Sequence, residues 1–103
     1  KTFTGGDGAD TFVWPDASTI DALDTVTDFT TGEGDQLNVG GLLNTYDPQV
    51  STPSDFVRFV DVGGNSRMEV SPLGDGNFQP VAILQGVTGL DADTLVQSGN
   101  LLL

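Results

Sequence analysis

The chain has 103 residues, no cysteine and no histidine, and fifteen acidic residues against three basic ones, for a formal net charge of −12 at pH 7. Three cations, Lys1, Arg58 and Arg67, cannot line a nucleic-acid groove, and the same balance disfavours an anionic membrane surface. Without histidine the chain lacks the commonest general base, the Ser-His and Cys-His nucleophile pairs and the usual zinc ligands, and no disulfide can reinforce the modest core that a chain of this length supports. No nucleophile stands beside a base and no phosphate-binding loop precedes a helix, so the chain is expected not to be an enzyme. Residues 1–35 hold eight acids and 36–103 hold seven, so acid density is about twice as high in the first third. Self-repulsion of that size opposes compaction unless cations bind. No apolar run reaches the roughly 18 residues of a membrane-spanning helix.

Residues 1–4 read as the tail of a strand, with Phe3 nine positions before Phe12. On that spacing the chain is expected to be a piece of a longer protein, opening mid-pattern with no signal peptide. Gly5-Gly6-Asp7-Gly8-Ala9-Asp10 is a turn. Its glycines permit positive φ and leave their carbonyls accessible, and its aspartates offer the hard carboxylate oxygens that Ca²⁺ prefers. Thr11-Phe12-Val13 is a short strand with Phe12 inward, ended by Trp14-Pro15-Asp16. Residues 16–23 form a polar connector with a short helical turn. Residues 24–29 alternate as a strand, 30–35 form an acidic glycine turn, and 36–39 alternate again before Gly40-Gly41.

Residues 42–55 read as loop, anchored by Leu42 and Leu43. Residues 56–62 and 66–71 are strands joined by a Gly63-Gly64-Asn65 hairpin turn, with Met68 and Val70 on one face and Arg67 and Glu69 on the other. Gly74-Asp75-Gly76-Asn77 lacks the acidic spacing of an EF-hand and reads as an ordinary β-turn. Residues 81–84 are apolar on both faces, so the last three strands form an antiparallel meander. Asp91 and Gly99 frame one or two helical turns as N-cap and C′ residue. Asn100-Leu101-Leu102-Leu103 is either a last strand docked on the core or a tail that another protein recognises. The two are compatible if recognition precedes folding.

Residues 5–13 match Gly-Gly-x-Gly-x-Asp-x-U-x, with U a large apolar residue, at every fixed position. They resemble the calcium-binding nonapeptide of RTX (repeats-in-toxin) proteins. Asp24-Thr25-Val26-Thr27-Asp28-Phe29, then Gly32-Glu33-Gly34, then Asp35-Gln36-Leu37 resembles the segment that follows the last nonapeptide in many of them. The resemblance covers residues 1–43 closely and the remainder loosely. It implies Ca²⁺ held by the carbonyls of Gly5, Gly6 and Gly8 and the carboxylate of Asp10, with Asp28 closing the site against Asp10 and Asp35 as the next ligand. Asp24 and Glu33 are weaker candidates, and Asp7 falls at a variable, solvated position. The competing reading is an Asp-Gly turn without metal, its aspartates accepting local backbone N–H groups.

The implied fold is all-β: residues 1–43 end a calcium-binding parallel β-roll, and 44–103 form a sandwich-like antiparallel β cap carrying a C-terminal secretion signal, the two making one folding unit. The implied function is that of the type I secretion target domain of a large adhesin, secreted or displayed at the cell surface of a Gram-negative bacterium. Its expected partners are the ABC transporter complex during export and upstream RTX repeats of the same chain. It is expected to act as a monomer, without nucleic acid and without membrane insertion. The alternative is the C-terminal calcium domain of a secreted protease or lipase, which a zinc motif or a serine nucleophile upstream would reveal. A third class, a module binding sugar or ice through the meander, has little support, since only Thr25 and Thr27 resemble a Thr-x-Thr array.

Overall fold

Short alternating segments separated by glycine give this chain many brief strands, and which strand pairs with which decides the architecture. A computed structural model describes residues 2–6, 8–14, 23–43, 45–47 and 49–103. Lys1, Asp7 and most of the connector expected over 16–23 therefore lie outside the described residues. The strands are β1 (Thr2–Phe3), β2 (Thr11–Val13), β3 (Asp24–Val26), β4 (Gln36–Asn38), β5 (Val57–Val62), β6 (Asn65–Val70), β7 (Gln79–Leu84) and β8 (Leu101–Leu102). Among the described residues two helices stand between them, α1 (Pro53–Phe56) and α2 (Ala92–Ser98), with 3-10 turns at Thr31–Glu33 and Gly40–Leu42.

Five strands form one sheet in the order β1-β3-β7-β6-β5, and three form a second in the order β2-β4-β8. The chain thus passes from the larger sheet to the smaller three times, through β1 to β2, β3 to β4 and β7 to β8. Parallel pairing aligns apolar residues across these passes. Phe3 lies opposite Val26 and Val26 opposite Leu84 in the larger sheet. Phe12 lies opposite Leu37 and Leu37 opposite Leu101 in the smaller. Phe3 joins the two ladders, its ring edge-on to Phe12 at 6.3 Å and to Trp14 at 5.6 Å. Val26, Leu37 and Leu84 are fully buried, each worth about 1.5–3 kcal/mol relative to exposure.

The all-β expectation does not hold: this is a small α/β domain with mixed parallel and antiparallel sheets. β4 and β8 run parallel, so the chain must cross the molecule before β8, and α2 is the last leg of that return. The Asp91 carboxylate accepts the Thr94 N–H at 3.0 Å at the start of α2. At its end Gly99 adopts φ +82°, and the N–H groups of Gly99 and Asn100 reach the carbonyls of Val96 and Leu95 in the Schellman arrangement. Ala92 and Leu95 enter the core. α1 was not expected within the 42–55 loop; Pro53 opens it with φ already set for a helix.

The separate, sandwich-like antiparallel cap is also corrected: β5, β6 and β7 belong to the same sheet as β1 and β3, and that sheet shares one core with β2, β4 and β8. β7 pairs parallel with β3, Ala82 opposite Asp24, and so extends the same sheet edgewise. Pro80 is tolerated in β7 because the β6–β7 register shifts between Met68 and Glu69, where the ladder is already interrupted. In the loop before β7, Gly74 has φ +67° and a β-carbon there would stand 2.6 Å from the Phe56 ring, so only glycine fits. One core cluster draws residues from both sheets and both helices. Among the described residues no helix is long and apolar enough to cross a membrane.

Candidate metal centre

The turn ahead of β2 is set by glycine, with φ +82° at Gly6 and +87° at Gly8. The next pass of the chain holds this turn from the side through two carboxylates. Asp28, just after β3, accepts the Gly5 N–H through Oδ1 at 2.9 Å and the Gly6 N–H through Oδ2 at 2.6 Å. Those two N–H groups, Gly5 first, hold the Asp28 carboxyl below its ordinary value by stabilising the anion. Asp35, just before β4 and fully buried, accepts the Asp10 N–H through Oδ1 and the Thr30 N–H through Oδ2, both at 2.9 Å. The Asp10 carbonyl accepts the Gln36 N–H at 2.7 Å, and the hydroxyls of Thr4 and Thr27 meet at 2.7 Å.

The Asp10 carboxylate differs from these two. Its Oδ2 is buried and has no hydrogen-bond partner among the described residues. It lies over Gly5, where a β-carbon would stand 2.5 Å away. An unpaired carboxylate oxygen removed from water is costly, and a hard cation is one group that satisfies it. Asp10 in a glycine turn therefore fits a Ca²⁺ ligand set of one carboxylate with backbone oxygens. What the fold does not do is gather carboxylates: among the described residues, no group of three or more acidic side chains is placed to share a metal.

Of the residues named from the sequence, Gly5, Asp10, Asp28 and Asp35 are thus brought to one turn, with Gly6 bound to Asp28 and Gly8 exposed at the turn's rim. Asp28 and Asp35 use all four of their carboxylate oxygens on backbone N–H groups. Asp24 is buried and accepts the Trp14 indole N–H at 3.0 Å, so it serves the core rather than the turn. Glu33 is exposed. Asp75 accepts the Asn77 backbone N–H at 3.2 Å within its own β-turn.

Asn100 was not anticipated at this site. It is buried, and its Nδ2 donates to the Asp35 carbonyl at 2.7 Å, 65 positions away in the chain. No local pattern could have indicated that contact. No protein-family model matches the chain, and neither a curated protein nor a solved structure does.

Proposed function

We propose that this chain is a non-catalytic RTX-type module that directs type I secretion of a large bacterial surface adhesin and folds on extracellular Ca²⁺. The single observation that carries the reading is the buried Oδ2 of Asp10, unpartnered among the described residues, in a turn that matches the calcium-binding nonapeptide. A bound Ca²⁺ would supply the positive charge that this oxygen lacks. Asp10, with carbonyls of Gly5, Gly6 and Gly8, would hold it, while Asp28 and Asp35 fix the turn's backbone. Where calcium is scarce, the acid-rich first third repels itself and the chain stays extended. Leu101 and Leu102, buried or half-buried once folded, are accessible to an export transporter only in that extended form. Extracellular modules bind Ca²⁺ with dissociation constants on the order of 10⁻⁴–10⁻³ M, so folding follows export, and metal binding and folding are one equilibrium. β1 and β2 are both edge strands, which suits preceding repeats pairing there.

The test is a Ca²⁺ titration of the chelator-stripped chain, followed by circular dichroism and by the fluorescence of Trp14, which is 1% exposed in the folded form. A cooperative transition in both signals is expected. Identical folded spectra in excess chelator and in calcium would overturn the coupling of folding to metal.

A further inference from the structure

The C-terminal strand reaches the candidate calcium turn through a continuous set of hydrogen bonds. Asp35 is fully buried, and among the described residues no cation faces it, since Arg58 and Arg67 are both bound to Glu69. Its side chain instead anchors the N–H groups of Asp10 and Thr30. Its carbonyl receives Asn100 Nδ2 at 2.7 Å. The Asn100 side chain is in turn oriented by the Ser98 hydroxyl, 2.6 Å from its Oδ1. The Asn100 carbonyl accepts the Leu37 N–H at 2.8 Å, and the Leu102 carbonyl accepts the Val39 N–H at 3.0 Å. The Schellman ending of α2 aims Asn100 at this spot, because Gly99 in the left-handed region turns the chain back toward β4.

From this geometry we infer that Asp35 and Asn100 are positioning residues for the Asp10 turn, so that setting of the turn and docking of the C-terminal strand are one coupled event. The inference deepens the proposed calcium reading and rests on it for its metal-dependent part. On this path Asp35 and Asn100 are buried and Asp10 is half-buried, while Thr30 and Ser98 lie at its exposed ends. If Asn100 loses Asp35, a buried carbonyl loses its donor. If Asp35 shifts, the Asp10 and Thr30 N–H groups lose their acceptor. Coupling is reciprocal by linkage: a docked strand raises cation affinity at Asp10, and an occupied Asp10 turn holds the strand. The tail that an export machine would read is then hidden by the same step that completes the metal turn, so one event both ends accessibility and locks the fold.

The experiment compares Asn100→Ala with a control, Asn65→Ala, which removes the acceptor of the Gly86 N–H on the far hairpin. Both are measured in the full chain under conditions where circular dichroism shows each folded. Amide hydrogen exchange is read at Asp10, Thr30 and Leu37, and Ca²⁺ affinity by calorimetry. The expected result is faster exchange at all three amides in Asn100→Ala alone, and Ca²⁺ affinity lowered about five-fold or more, the lower end of ordinary coupling energies. Exchange at Asp10 and Thr30 unchanged relative to the control overturns the coupling, whatever happens to calcium. Conversely, wild-type chain that binds no Ca²⁺ but shows the exchange response in Asn100→Ala sinks the calcium reading and keeps the coupling of turn and strand. Should Asn100→Ala not fold at all, Ser98→Ala removes the hydroxyl that orients Asn100 and also reaches the Leu95 carbonyl, and it is read at the same three amides by the same criterion.

Discussion

The Asp10 carboxylate rests against Gly5: a β-carbon on Gly5 would stand 2.5 Å from Oδ2 and 2.7 Å from Cγ. The first glycine of the turn is therefore required for space rather than for an unusual φ, since positive φ values fall on Gly6 and Gly8 instead. Gly5→Ala must push the carboxylate out of its buried position or displace the turn. Overpacking of this kind costs about 1–3 kcal/mol. The expected outcome is a lower thermal midpoint and a weaker calcium response. Gly32→Ala, at a position with open space around it, leaves both nearly unchanged. Thermal melts across a calcium series check the contrast.

Asp28 links the turn to pH. Its carboxyl lies below the ordinary value of 3.8 because the N–H groups of Gly5 and Gly6 favour the anion. A depressed folded-state value means the unfolded chain binds the proton more readily, so the contribution is complete above the unfolded value and is lost as pH falls through the folded one. Stability contributed by Asp28 is thus full at neutral pH and declines below about pH 4. Asp28→Asn, which presents an N–H₂ group to one of the two glycine N–H donors, lowers the denaturant midpoint at pH 7 and flattens that acid decline. Urea midpoints between neutral pH and pH 3 distinguish the two chains.

Glu69 and its two arginines form a second charged feature, on the antiparallel part of the sheet. The Arg58 and Arg67 Nε atoms lie 2.6 and 2.7 Å from the two Glu69 oxygens, and the Arg58 guanidinium sits 4.2 Å from the Phe78 ring centre. Burial works to raise the Glu69 carboxyl, but the hydrogen bonds and charges of Arg58 and then Arg67 outweigh it, and the net effect is a lowered value. Glu69→Ala leaves two guanidinium groups unpaired. Because both arginines are partly solvated, the cost is about 1–2 kcal/mol rather than that of a fully buried pair. Denaturant unfolding at low and high salt checks it, with the larger loss expected at low salt.

Leu101 is the C-terminal member of the Phe12–Leu37–Leu101 ladder and is 1% exposed. Leu101→Ala removes a buried side chain from the edge strand of the smaller sheet, at a cost of about 2–5 kcal/mol. Leu102→Ala, at a half-buried position on the opposite side of the same strand, costs less. Chemical denaturation of the two variants under one calcium concentration gives the comparison.

The features legible in the residues are those that act over a few positions. The glycine turn and the Thr11–Val13 strand, the alternation of β3, β4 and β6, the Gly63-Gly64 hairpin, and the Asp91 and Gly99 caps of α2 were all readable, because φ restriction, side-chain period and capping are local properties. So was the gathering of acids into the first third. The pairing of strands was not. Alternation shows that Val26 faces a core, and the apolar run of 81–84 that Leu84 does, but neither shows that they sit side by side in a parallel ladder that continues into the meander. That single pairing joins the expected antiparallel cap to the sheet of β1 and β3 and, with two packed helices, turns an all-β expectation into a mixed α/β domain.

The candidate site divides along the same line. Residue types marked Asp10 as an oxygen donor among glycines, and the RTX resemblance implied Asp28 and Asp35 beside it. Only the tertiary structure decided their tasks: Asp28 and Asp35 take N–H groups of Gly5, Gly6 and Asp10 22 to 25 positions away, and Asp10 keeps an oxygen unpaired among the described residues. It alone brought Asn100 to Asp35 across 65 positions. Local sequence determines which conformations and chemistries each segment can offer. Contacts between distant segments are settled by which burial of apolar ladders and which satisfaction of backbone groups the whole chain achieves at once.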